Sequence, residues 1–159
     1  MRSVDNVNHE AHVDLRERVK ELSCLYNIAH LASQKDIGMS ELLKGVVEGL
    51  PAAWLYPETA CARIVLDGCS HSTSNYRRLR HRQTVPVVIS GDIRGYIEVG
   101  YPDKRPRRDR GPFLNEERNL LEAVAKEVAI VIMRKEAEQD RSKLEEQLRH
   151  ADRLATVGQ

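Results

Sequence analysis

Cys61, Cys69 and His71 carry the most reactive side chains that lie close together in this sequence. Thiolate and imidazole ligate zinc or haem iron, and a thiol of lowered pKa responds to oxidants. With Tyr76 nearby, these four form the candidate ligand-binding set. Paired zinc ligands normally sit two to four residues apart, and Cys61 and Cys69 do not, so no metal site is expected. Haem binding or thiol redox sensing is the chemistry the set offers, but no cofactor is required, and packing is the plainer reading. Cys24 lies within a helical pattern and reads as packing. No Ser/His/Asp constellation, glycine-rich phosphate loop or paired acid motif stands in a strand-turn-helix context, so no catalytic residue is assigned and the chain is not expected to be an enzyme. His150, among Arg149, Asp152 and Arg153, reads as part of a solvated helix face.

The bulk composition narrows the class. Of 159 residues, 31% are charged and only 4% aromatic, which favours solvent-laced helices around a modest core. Basic and acidic residues balance at 25 and 24, so no global field draws the chain to nucleic acid or an anionic membrane. Lys104 to Arg110 is basic, but it lacks interleaved aromatics and reads as a solvated loop. No apolar run approaches the roughly 20 residues needed to span a bilayer, and the polar start is no signal peptide. These features lead us to expect a cytoplasmic protein. Three cysteines cannot all pair, which fits a reducing compartment.

The elements that would position these residues follow from periodicity. Residues 1–13 are polar and are expected to be disordered. From Asp14 to residue 36 the pattern is helical, ending near Gly38, and Leu15, Val19, Leu22, Tyr26 and Ala29 recur at steps of four and three, the seam of a two-stranded coiled coil. Leu25, Ile28 and Leu31 widen the stripe, so this helix should also touch its own domain. Ser40 is placed to cap a second helix with Leu42, Leu43, Val46, Val47 and Leu50 on its buried face, and Pro51 interrupts it. Trp54 reads as core.

The period then changes to two. Strands are expected at Cys61 to Asp67, weakly at Ser72 to Tyr76, at Thr84 to Ile89 and at Ile93 to Tyr101. The last two form an antiparallel hairpin around Ser90-Gly91-Asp92, with Ile93, Ile97, Val99 and Tyr101 on one face and Gly95 marking a bulge or a close backbone approach. Asn115 is the expected cap of a final helix whose Leu120, Leu121, Val124, Val128, Val131 and Ile132 face the sheet. Beyond Met133 the apolar residues thin to Ala137, Leu144, Leu148, Ala151 and Ala155. The last four continue a coiled-coil seam, and the two successive steps of four at 133, 137 and 141 are a stutter.

Particular strings carry a family resemblance. Gln147-Leu-Arg-His-Ala-Asp-Arg-Leu-Ala-Thr-Val-Gly-Gln159 resembles the opening of a histidine-kinase dimerisation and phosphotransfer domain, just before the phosphoacceptor histidine. Leu15 to Tyr26, Trp54-Leu-Tyr-Pro-Glu58 and Gly111-Pro-Phe-Leu-Asn-Glu-Glu-Arg118 resemble segments of GAF-like domains in prokaryotic sensor histidine kinases. The element order fits that family, with a PAS domain as the nearest alternative. The resemblance implies an α+β, GAF-like antiparallel sheet with N- and C-terminal helices packed on one face and extended into a coiled coil. Residues 37–133 would be the sensory domain, and 134–159 the signalling helix leading into a phosphotransfer domain beyond Gln159. The expected partners are a second copy of the chain through the terminal helices, a histidine kinase core in cis, and a response regulator for the parent protein. Two alternatives stand beside this: a ligand-free dimerisation scaffold and the sensory domain of a GAF-containing transcription regulator. Ligand-binding GAF domains carry a substantial lid where this chain has only Tyr76 to Gln83, which points towards the scaffold. Three cysteines on this fold also resemble the free methionine sulfoxide reductases, but a free-standing enzyme has no use for the long C-terminal helix.

Overall fold

The structure is a computed structural model describing residues 2–108 and 111–158. Met1, Gln159, and the pair Asp109 and Arg110 of the basic loop lie outside the described residues. The chain forms helices α1 (Arg2–Ser33) and α2 (Met39–Gly49), strands β1 (Cys61–Leu66), β2 (Cys69–Ser72), β3 (His81–Ile89) and β4 (Asp92–Tyr101), and helix α3 (Asn115–Val157). The four strands make one antiparallel sheet in the order β2-β1-β4-β3. The fold is therefore α+β, with helices at both ends of the chain.

Two hairpins build the sheet, and both close with the same turn. Asp67 and Gly68 have φ of 51° and 82°, and Ser90 and Gly91 have 53° and 83°. Left-handed backbone at both central residues is the type I′ turn, whose twist matches that of the strands it joins. Asp67-Gly68 reverses the chain at once, so the partner of β1 starts at Cys69 and pairs Leu66 with Cys69. The short strand expected at Ser72 to Tyr76 is thus displaced towards the N-terminus. The strand expected from Thr84 begins at His81 because Arg82 and Gln83 still find partners in Gly100 and Val99.

One face of the sheet is apolar. Ala62, Ile64 and Leu66, then Val85, Val87 and Ile89, then Ile97, Val99 and Tyr101 are all buried on it. Helix α2 covers β1 and β2, and α3 covers β3 and β4. Helix α1 lies outside these, packed on α2 and α3 through Cys24 and Ile28. The expectation that the two terminal helices would cover the sheet is corrected here: α2, with Leu42, Leu43, Val46 and Val47 buried, takes the place beside α3. Helices α1 and α3 run in parallel, since Asp14 to Glu21 line a groove with Glu116 to Leu120 and the Lys135 ammonium donates to the Ile37 carbonyl.

Several helix ends differ from expectation. The segment expected to be disordered before Asp14 continues α1 back to Arg2, with residues 7–16 exposed and outside the core. Helix α1 stops at Ser33, and Gly38, in extended conformation, is the N-cap residue of α2, which puts Ser40 inside the helix. Leu114 precedes α3 as its N-cap residue, and Asn115 is the first helical position. Glu117 does the capping: its carboxylate accepts from the Leu114 amide at 2.7 Å and from the Leu55 amide at 2.8 Å. It thereby pins the turn after Pro51–Ala53 to the start of α3. Trp54, fully buried, donates its indole N–H to Gln83 at 3.3 Å.

The bulge anticipated at Gly95 falls one residue earlier. Val87 pairs with Gly95 and Val88 with Ile93, leaving Arg94 unmatched in the ladder. That extra residue turns Ile93 off the core face, where it is exposed rather than buried with Ile97 and Val99. Gly95 is required by close approach, since a Cβ there would lie 1.8 Å from the Val65 carbonyl oxygen. The outer edge of β3 is protected: Pro86 offers no N–H, and Arg118 donates to the outward Thr84 carbonyl.

Two glycines separate steric from conformational demand. Gly95→Ala forces backbone atoms apart and is expected to destabilise the fold by on the order of 3 kcal/mol in urea unfolding. Gly91→Ala meets only open space but holds φ at +83°, so about 1 kcal/mol is expected. Equal effects would contradict this assignment.

Candidate functional site

The face of the sheet turned away from the helices carries the polar chemistry. By alternation along β1 and β4 it presents Cys61, Arg63, Tyr96 and Glu98, and from β3 it presents Arg82. The segment from Thr73 to Arg80 brings Tyr76 over this face. Tyr76 donates its hydroxyl to the Glu98 carboxylate at 2.7 Å. Arg63 stacks between two rings, its guanidinium carbon 5.0 Å from the Tyr76 centroid and 5.7 Å from that of Tyr96. The same guanidinium donates to the Tyr96 hydroxyl at 3.1 Å and lies 3.4 Å from Glu98. Arg82 approaches the second carboxylate oxygen at 3.8 Å.

Glu98 is buried and is the centre of this cluster. A buried carboxylate is tolerated when its oxygens are occupied by donors, and here a phenol and two guanidinium groups supply them. The Tyr76 phenol is pushed up to about 12, first by burial and then by its hydrogen bond to, and the negative charge of, Glu98. Tyr101 shifts upward too, through burial and the nearby Glu117 carboxylate. The Glu98 carboxylate is thus matched by donors from Tyr76, Arg63 and Arg82, while Arg63 Nε is buried without a hydrogen-bond partner.

The four predicted site residues do not come together. Cys61 and Tyr76 belong to the outer face. Cys69 and His71 alternate onto the other face, on the edge strand β2. Cys61 is also five residues along β1 from Leu66, the partner of Cys69, which at 3.3 Å per residue separates them by about 17 Å along the strand. No disulfide spans that distance, and all three cysteines are free. Cys61 is buried, with its thiol 3.3 Å from the Asn75 carbonyl and 3.5 Å from that of Thr59. Burial raises its pKa against the opposing influence of Arg77, and the Cys24 thiol is pushed up to about 11 by burial alone. Both are protonated at neutral pH, the opposite of a reactive thiolate. Among the described residues no group of three or more His, Cys, Asp or Glu side chains is arranged to hold a metal ion. Arg63, Tyr96 and Glu98 were not singled out from the sequence. The available signal was a glutamate flanked by Ile97 and Val99 within strand β4.

The predicted seam lies on the surface. Leu15, Val19, Leu22 and Tyr26 of α1 are 55–72% exposed, and Ala29 is exposed beside them. Cys24 and Ile28, on the other side of the same helix, are buried. On α3 the last buried residue is Ile132, and Leu144, Leu148, Ala151 and Ala155 stand in solvent. Ile130 and Met133, also exposed, precede them at steps that lead into Ala137. In the parallel pair, the exposed stripe of α1 stops near the level at which that of α3 starts. Lys104, Arg107 and Arg108 of the basic loop are exposed as expected, whereas Arg105 is half-buried over the Tyr56 ring and donates to Thr59 at 2.8 Å. No family model matches the chain, and no curated protein matches it.

Two measurements check this chemistry. In a native thiol assay Cys69 should react quickly, while Cys24 and Cys61 stay silent until denaturant is added; fast reaction of two thiols would revive a redox site. Because the folded Tyr76 phenol titrates above its unfolded value of about 10, its stabilising contribution is complete below pH 10 and disappears as pH rises towards 12. Tyr76→Phe should accordingly flatten the fall in stability between pH 10 and 12.

Proposed function

We propose that this chain is the regulatory, GAF-like module of a sensor histidine kinase, which dimerises through its terminal helices and passes a signal along α3 to a kinase core. The observation that carries this reading is the second half of α3. The helix runs 43 residues, and none after Ile132 is buried. A helix of that length reaches about 65 Å, and its own domain covers only the first part. The uncovered part keeps leucine and alanine at heptad spacing, which is the pattern of a helix completed by a second copy of itself. The strings that resemble kinase input domains, above all Gln147 to Gln159, supply the identity of the output. In this reading the chain neither binds ATP nor transfers phosphate itself, and the parent protein works with a response regulator in the cytoplasm.

A second reading has its own support. On the outer face of the sheet Arg63, Tyr76, Tyr96 and Glu98 are bound to one another rather than left free for a small-molecule ligand. That favours a dimerisation scaffold in which the domain aligns the coil without a ligand. A native mass and an absorption spectrum of the purified chain separate the two: a co-purified molecule or chromophore supports the sensor, and an empty dimer supports the scaffold.

The dimer itself is tested by sedimentation. The wild-type chain should sediment as a dimer, and Leu148→Lys should weaken association by on the order of 100-fold, because each copy loses a seam leucine. Cysteine placed at residue 144 should crosslink to the same position of a second copy. A monomeric wild type, or crosslinks that require antiparallel pairing, would overturn the reading.

A further inference from the structure

The unmatched residue of the β4 bulge sits where α3 leaves the domain. Arg94 projects its guanidinium between two carboxylates. Its Nε and Nη2 donate to the two oxygens of Asp67 at 3.0 and 2.5 Å, and its Nη1 and Nη2 donate to the two oxygens of Glu136 at 3.0 and 2.6 Å. Asp67 belongs to the β1–β2 turn, and its amide also bonds the Arg94 carbonyl at 2.9 Å. Glu136 lies one turn of helix beyond Ile132, the last buried residue of α3. One arginine thus joins both hairpin systems of the sheet to the first turn of helix that the core no longer holds.

A second contact lies at the same level. Lys135, next to Glu136, donates to the Ile37 carbonyl in the turn between α1 and α2. Between that turn and α3 an open groove of about 540 Å³ is lined by Gln34, Asp36, Arg134, Lys135 and Glu138. Ile37, Leu42 and Val131 line its apolar floor, and polar contacts hold the helix on both sides just beyond Ile132. The stutter at 133, 137 and 141 surrounds the same two residues. A stutter locally changes the winding of a coil, which lets its two halves rotate relative to one another.

We propose that Arg94, with Asp67 and Glu136, is a clasp that fixes the rotation of the exit helix relative to the sheet, and that a shift of the β1–β2 or β3–β4 hairpin is passed to the coil through it. The inference rests on the signalling role proposed above, and it locates the transmission point. The bidentate fork explains why arginine stands there: a lysine ammonium could not hold two carboxylates in fixed orientation. The bulge explains how the guanidinium reaches them, since strict alternation from Gly95, a partner of Leu66 and Val87, would turn residue 94 to the face away from α3. Asp67 is held below the usual carboxylate range by its hydrogen bond to Arg94, in keeping with a formed contact.

Amide hydrogen exchange of the full chain, followed by mass spectrometry, tests the clasp without requiring an output domain. Arg94→Met and Glu136→Gln should each raise exchange across residues 133–142 at least threefold, with residues 120–132 and the strands unchanged. The double variant should exchange no faster than the faster single variant, because the Arg94–Glu136 contact is already lost in Arg94→Met. Asp67→Asn, which keeps a side chain suited to its left-handed turn position, should give a smaller rise in the same segment. Unchanged exchange at 133–142, a rise spread evenly over the domain, or additive effects in the double variant would overturn the proposal. Sedimentation of the same samples reports the dimer, so failure of the clasp and failure of the dimeric reading are distinguishable.

Discussion

Leu121, Val124, Val128 and Ile132 of α3 share one core with Val85, Val87, Ile97 and Val99 of the sheet, and the rest of the architecture depends on that packing. A four-stranded sheet with one apolar face must cover it, and α2 and α3 together do so. The covering helix is longer than the sheet is wide. Once the sheet ends, α3 has no more apolar surface to meet, and its burial stops at Ile132. The long exposed helix is therefore a consequence of how the core is built, and Leu144, Leu148 and Leu154 stand exposed along it.

The two faces of the sheet are stabilised by different physics. The inner face uses apolar burial, which is insensitive to direction. The outer face uses a buried carboxylate satisfied by Tyr76, Arg63 and Arg82, and each of those contacts has a required geometry. A cluster of that kind fixes where the Thr73–Arg80 segment lies. Its members would have to part before a ligand could occupy the same space.

Much of the fold was legible from local patterns. Alternation marked β1, β3 and β4, and the heptad steps of α1 marked the surface that the structure leaves exposed. The misplacements share a cause. Asp67-Gly68 is a strong turn signal, but its consequence, a strand starting at Cys69, depends on pairing with β1. Ile93 obeys the alternation of its neighbours, yet the bulge at Arg94 moves it to solvent. Ser40 and Asn115 have capping side chains, but the chain enters each helix one or two residues earlier, at Gly38 and Leu114. The candidate set of Cys61, Cys69, His71 and Tyr76 is not brought together, because residues near in sequence along a hairpin can fall on opposite faces and at opposite ends of a strand.

The sequence alone determined the class of the chain, its principal elements and its apolar faces, because these depend on spacing within a single segment. Only the tertiary structure decided which helix lies beside α3, which charged residues meet, and where the domain lets go of its exit helix. Arg63 with Glu98, and Arg94 with Asp67 and Glu136, are far apart in the chain. Nothing in one strand or one helix specifies such a partner. The register of the sheet and the placement of α3 on it bring the charges within hydrogen-bonding distance.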